Sequence, residues 1–195
     1  MNTQFATSTN LNSTATAFPS ETARFREIVK KYIHAGFRDR PAFFKEVSKY
    51  IQFSPDSFEL IHELILYSTF AEEVEDRLDA AVDILHQFPK ICDYAREFLS
   101  RDVDNYNKTY TARAYEPNDD YWHILLKSVA SSDANVRVRL SIIDGCRNKA
   151  SRAIKEIVIE SLDAIDHPDA LDLIQVFTSD SDSMIRELAI EILEN

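Results

Sequence analysis

The stretch IKEIVIESLDAIDHPDALDLIQVFTSDSDSMIRELAIEIL (Ile154–Leu193) decides the fold class. Its apolar residues recur at helical spacing three times over. Ile154, Ile157, Val158, Leu162 and Ile165 form one stripe, and Ala170, Leu173, Ile174 and Phe177 a second. The third is Ile185, Leu188, Ala189, Ile192 and Leu193. Positions three and four apart share one face of a helix, so each stripe marks an amphipathic helix with one buried side. The joints between them are short and carry start signals, His167-Pro168 before the second helix and Asp182 before the third. Three helices in forty residues, joined by tight turns, must pack on one another.

The same pattern extends upstream. Ser20 and Gly36 bound a first helix with Phe25, Ile28, Val29 and Tyr32, and Asp39-Arg40-Pro41 opens a second with Phe43, Phe44, Val47 and Tyr50. Ser54-Pro55 starts a third, bearing Phe58, Ile61, Leu64 and Ile65. A fourth carries Val74, Leu78, Ala81, Val82, Leu85 and Phe88. Pro89 leads into a fifth with Ile91, Tyr94, Ala95, Phe98 and Leu99. Beyond residue 118, Trp122, Leu125, Leu126 and Val129 mark one helix and Val136, Leu140 and Ile143 another. Two glycines and six prolines in 195 residues are too few for the frequent turns of an all-β fold. The sequence therefore predicts an all-α protein of about ten helices, divided into a disordered tail (1–18), an N-terminal helical half (19–101), an irregular Tyr-rich connection (102–118) and a C-terminal helical half (119–195). The tail has no charged side chain and too little apolar surface to offset its ordering entropy.

Two segments of the second half match each other. Ser132-Asp133-Ala134-Asn135-Val136-Arg137 aligns with Ser181-Asp182-Ser183-Met184-Ile185-Arg186, 49 residues on, and each follows an apolar helix. This resembles the HEAT-repeat pattern, in which an Asp turn leads into Val-Arg-x-x-Ala. The resemblance covers residues 119–195, and three helices in 49 residues lie closer to an armadillo unit. It implies stacked antiparallel helix pairs forming an α-solenoid. In such a stack the Asp caps the second helix and the Arg bridges to a neighbouring repeat. HEAT-like proteins include bilin lyases and DNA glycosylases, so an enzyme or enzyme subunit such as a bilin lyase is one alternative the resemblance brings.

Charge narrows the function classes. A net charge of -11 opposes nucleic-acid binding and anionic membranes. No apolar run reaches the ~18 residues of a membrane span, and the first residues lack the basic start of a secretory leader. The two cysteines, Cys92 and Cys146, have no CxxC partner, which fits a reducing, cytoplasmic setting. Within this acidic chain, residues 137–155 hold six basic side chains against one acid, Asp144, whereas 156–195 holds eleven acids against Arg186 alone.

No nucleophile motif or phosphate loop is present, since two glycines cannot build one. Glu59-x-x-His62 and Asp83-x-x-His86 are spaced like the carboxylate–His pairs of helical di-iron bundles, making a metal-binding bundle a second alternative. Tyr106, Tyr110, Tyr115, Tyr121 and Trp122 cluster around the irregular segment, as binding aromatics or as a cover for the core. The expectation from sequence is a non-catalytic adaptor or regulatory module without a cofactor. Its contact surface would include Arg139, Arg147, Lys149, Arg152, Tyr110, Tyr115 and Trp122, and its partner would be another protein, engaged through an acidic segment.

Overall fold

The structure is a computed structural model that describes residues 21–34, 39–53, 57–70, 77–100, 118–147 and 151–195. Among the described residues there are ten helices and no strand. They are α1 (Glu21–His34), α2 (Arg40–Phe53), α3 (Ser57–Phe70), α4 (Arg77–Leu85), α5 (Ile91–Ser100), α6 (Asp119–Ala130), α7 (Val136–Asp144), α8 (Arg152–Asp163), α9 (Pro168–Phe177) and α10 (Ser183–Glu194). The predicted tail, Ser20, Gly36, Ser54-Pro55, Val74 and residues 102–117 of the Tyr-rich connection lie outside the described residues.

Helix starts follow local chemistry. Asp39 accepts the Ala42 backbone N–H at 3.1 Å and opens α2. Asn118 accepts from Tyr121 at 3.0 Å and opens α6. His167 caps α9 through Nδ1, with Pro168 as the first helical residue. Asp182 accepts from Met184 at 3.0 Å and opens α10. Each satisfies a donor that the first helical turn leaves without an intrahelical partner.

One cap differs from expectation. Asn135, not Asp133, caps α7, accepting from the Arg137 backbone N–H at 3.0 Å. Aligning the caps shifts the internal match by two residues and pairs Asn135 with Asp182 and Arg139 with Arg186. The shifted register is consistent in geometry. Both arginines turn their Nη1 back onto carbonyls just before their own helix, Arg139 onto Ala130 and Arg186 onto Asp180 and Ser181. Residues seven beyond each cap, Ile142 and Ala189, are buried. Asn135→Ala should therefore cost about 1 kcal/mol in a thermal or urea melt. Asp133→Ala, at an exposed position, should be nearly silent, and equal losses would return the cap to Asp133.

Packing runs in two series. In one, α4 packs on α6, α6 on α8 and α8 on α10. In the other, α3 packs on α5, α5 on α7 and α7 on α9. Neighbours in sequence also touch, as α6 with α7, α8 with α9 and α9 with α10. The matched caps of α7 and α10 fall in different series, so the likeness is one of helix starts and does not set a packing period. Helix α3 touches α1, α2, α4, α5 and α6. Accordingly it is buried on most of its circumference, through Leu60, Ile61, Leu64 and Ile65 but also His62, Glu63, Ser68 and Thr69. One cluster of buried apolar side chains runs from Phe25 to Ala189.

Ion pairs tie helices across this core. Arg26 bonds Glu63 between α1 and α3. Arg77 meets Asp120 at 2.7 Å between α4 and α6, and Lys127 meets Glu160 at 3.4 Å between α6 and α8.

Candidate functional site

A concave surface forms where α4 ends. The chain turns through His86 and Gln87, and both side chains fold back on the last turn of α4. His86 Nδ1–H donates to the Val82 carbonyl at 3.0 Å, and the Gln87 amide donates to the Asp83 carbonyl. The Asp83 carbonyl is one that the helix C-terminus leaves open, while the Val82 carbonyl also accepts the His86 backbone N–H at 3.0 Å. In the neutral ring the side-chain bond to Val82 puts the proton on Nδ1 and leaves Nε2 as an acceptor. Phe88 then buries against Phe44 of α2, with ring centroids 5.3 Å apart.

Two adjoining depressions flank this turn and share His86 and Gln87. The larger, of about 410 Å³, lies between the turn and Pro41 and Phe44 of α2, with Asp83 and Ile84 on its α4 side. The smaller, of about 190 Å³, lies between Phe88, Pro89 and Ile91 and the α6–α7 loop at Ser132–Ala134. The two depressions, taken together as a groove, are lined by aromatic and aliphatic side chains and by amide, imidazole and carboxylate groups. Beneath it, Ser132 donates its hydroxyl to the Val129 carbonyl at 2.8 Å and lies 3.5 Å from the Cys92 sulfur. Burial pushes the Cys92 thiol above its ordinary pKa, which keeps it protonated and unreactive.

The paired carboxylate–His motifs separate. His86 lines the groove, while His62 is 1% exposed inside the core. Among the described residues no three His, Cys, Asp or Glu side chains are placed to hold a metal ion, so Glu59, His62, Asp83 and His86 do not converge. The cause is the burial of α3 on nearly all sides, which turns His62 toward α5 and α6 instead. Its Nδ1 lies 2.9 Å from the Tyr94 hydroxyl and 2.8 Å from that of Tyr121, and the two hydroxyls bond each other. An unprotonated Nδ1 suits this triad. One hydroxyl donates to Nδ1 and the second donates to the first, so both protons are used. Burial lowers the His62 pKa from 6.5 to about 4.

The aromatics near the connection divide. Tyr110 and Tyr115 lie outside the described residues. Tyr121 and Trp122 are core groups, with Phe98 stacked on Tyr121 at 5.1 Å and edge-on to Trp122 at 5.6 Å. Trp122 is thus corrected from a contact residue to a packing residue. The inward side of α6 carries it, because Tyr121, Leu125 and Val129 share that side.

Of the basic stretch, Lys149 lies outside the described residues. Arg139 serves the Ala130 carbonyl, and Arg147 pairs with Asp144 one turn back at 3.3 Å. Arg152 meets Asp182 at 2.7 Å, and Lys155 meets Asp180 at 2.7 Å. The Asp182 pKa is lowered first by the Arg152 hydrogen bond. That of Asp180 is lowered first by the Asp182 backbone N–H and then by Lys155. Arg152 and Lys155 thereby join α8 to the turn before α10.

Comparison with protein-family models, with curated proteins and with solved structures finds no match to this chain.

Proposed function

We propose that this chain is a non-catalytic protein-interaction module, a HEAT- or armadillo-like stack of helix pairs acting as an adaptor or regulator in the cytoplasm. The single observation that carries the reading is the open groove shared by His86 and Gln87, where α2, the α4–α5 turn and the α6–α7 loop converge. A groove lined by apolar side chains and a few polar groups suits an anchoring side chain of a partner segment. The two packing series supply the rigid support that such a surface needs. Among the described residues no helix is long and apolar enough to cross a membrane. The basic stretch is the lesser candidate for the contact, because Arg139, Arg147 and Arg152 already hold partners within the chain.

The reading is tested by placing a photo-crosslinking amino acid at exposed Gln87 and, as a control, at exposed Glu27 of α1. Irradiation in the native cells should trap a discrete protein at Gln87 and not at Glu27. The trapped partner, purified, should bind the Gln87→Lys/Asp133→Lys variant at least about tenfold more weakly, the loss of about 1.4 kcal/mol. No discrete product at Gln87, or the same products at both positions, rejects the groove as a contact surface.

A further inference from the structure

The exposed large apolar side chains of the described residues all fall on two adjacent helices. Leu171 is 49% and Val176 50% exposed on α9, and Met184 is 53% and Ile190 42% exposed on α10. Scattered singly, such residues need no explanation. Four of them within twenty residues do.

Their setting is defined by the helix geometry. On α10, Ile185 and Ala189 mark the inward side. Glu187, Glu191 and Glu194 lie on the opposite side, with Met184 at one edge of that strip and Ile190 at the other. On α9, Ala170, Ile174 and Phe177 face inward. Asp172 lies opposite, flanked by Leu171 and Val176. The outer face of α10 is therefore a row of carboxylates between apolar edges, and that of α9 a single carboxylate, Asp172, between two apolar side chains.

The charge of this surface is not neutralised from within. Residues 156–195 contain one base, Arg186, and its guanidinium turns inward to the Asp180 and Ser181 carbonyls at 2.7 and 3.0 Å. Arg152 and Lys155 are engaged by Asp182 and Asp180. Asp172, Glu187, Glu191 and Glu194 are exposed and hold no ion pair among the described residues.

We propose that the outer faces of α9 and α10 form a docking surface for a cationic amphipathic segment of another protein. Such a segment would set Lys or Arg against Asp172 and the Glu187, Glu191 and Glu194 row, and its apolar side against Leu171, Val176, Met184 and Ile190. Charge complementarity selects this occupant. A second copy of the chain would bring the same acidic face against this one, and an acidic segment would be repelled. The proposal shares the interaction reading but uses a surface separate from the groove, so crosslinking at Gln87 can succeed where this test fails, and the reverse.

The probe is a fluorescently labelled 14-residue amphipathic peptide of Leu and Lys, with a scrambled peptide of the same composition as control. Titrated with the full chain, the amphipathic peptide should bind saturably and at least tenfold more tightly than the scrambled one, and weaken as salt rises. Its backbone amide shifts in NMR should centre on α9 and α10. Leu171→Ser/Ile190→Ser and, separately, Glu187→Lys/Glu191→Lys should each raise Kd at least tenfold, with helicity unchanged by circular dichroism. Equal binding of the scrambled peptide, shifts centred elsewhere, or affinity unchanged in the Leu171→Ser/Ile190→Ser variant would overturn the proposal. So would concentration-dependent self-association abolished by those same serines, which would assign the face to a second copy.

Discussion

Lowering the pH from 7 to 4 should remove about 3 kcal/mol of folding stability through one side chain, His62. Its pKa falls from 6.5 to about 4 on folding, because burial disfavours the imidazolium. Between those values the unfolded chain binds a proton that the folded chain refuses. His62 thus imposes no loss above pH 6.5, and stability declines as pH falls from there toward 4. The hydrogen-bond pattern gives the same sign. With Nδ1 protonated, the triad holds three hydrogens pointing inward and one fewer acceptor for the Tyr94 and Tyr121 hydroxyls. Urea unfolding of the wild type and of His62→Gln across pH 4–7 separates this effect from that of the carboxylates. The glutamine has no proton to gain, so its stability should depend less steeply on pH, by up to that 3 kcal/mol. Parallel curves for the two proteins would remove His62 as the cause.

The triad also shows where sequence reading stops. His62, Tyr94 and Tyr121 come from three helices, with His62 lying 32 residues before Tyr94 and 59 before Tyr121. Each residue type is at home on a surface or in a core, so no local pattern announces that the three meet. Their helices, by contrast, were legible. The 3.6-residue stripes gave their number and type, and Asp39, Pro168 and Asp182 gave three of the starts. The α7 start was misplaced by two residues because Asp133 and Asn135 are both good caps, and only backbone geometry chooses between them.

The charge pattern was legible as a list and not as a surface. Six bases followed by eleven acids read as a positive patch beside a negative one. Folding brings Arg152 across thirty residues to Asp182, and Lys155 across twenty-five to Asp180. Part of the positive patch is thereby used to join α8 to the turn before α10, while the outer carboxylates of α9 and α10 remain exposed. The partner chemistry proposed for this surface is cationic, whereas the linear charge pattern leads to an acidic partner segment. The Arg152 side chain is more than half exposed, and an ion pair so open to water is individually weak, so the consequence of that pair is the charge it leaves showing rather than the stability it adds.

The largest loss from a single apolar truncation is expected in α3. Leu64 is fully buried on the helix that touches five others, α1, α2, α4, α5 and α6. A cavity there is walled on several sides by separate helices, so no one of them can move in to fill it without breaking contact with another. Leu64→Ala should therefore fall in the upper part of the range for such changes, about 3–5 kcal/mol. Leu188 on α10 is the natural comparison. Its stripe, with Ile185, Ala189 and Ile192, reads in the sequence as plainly as that of α3, yet Leu188 and Ile192 are only half-buried. Helix α10 packs on α8 and α9 alone among the helices with substantial contact. Leu188→Ala should cost about 1 kcal/mol, since part of its surface stays in water in both states. Urea denaturation of the two variants measures the difference directly. A loss at Leu64 no larger than that at Leu188 would mean that α3 is not the helix on which the others depend.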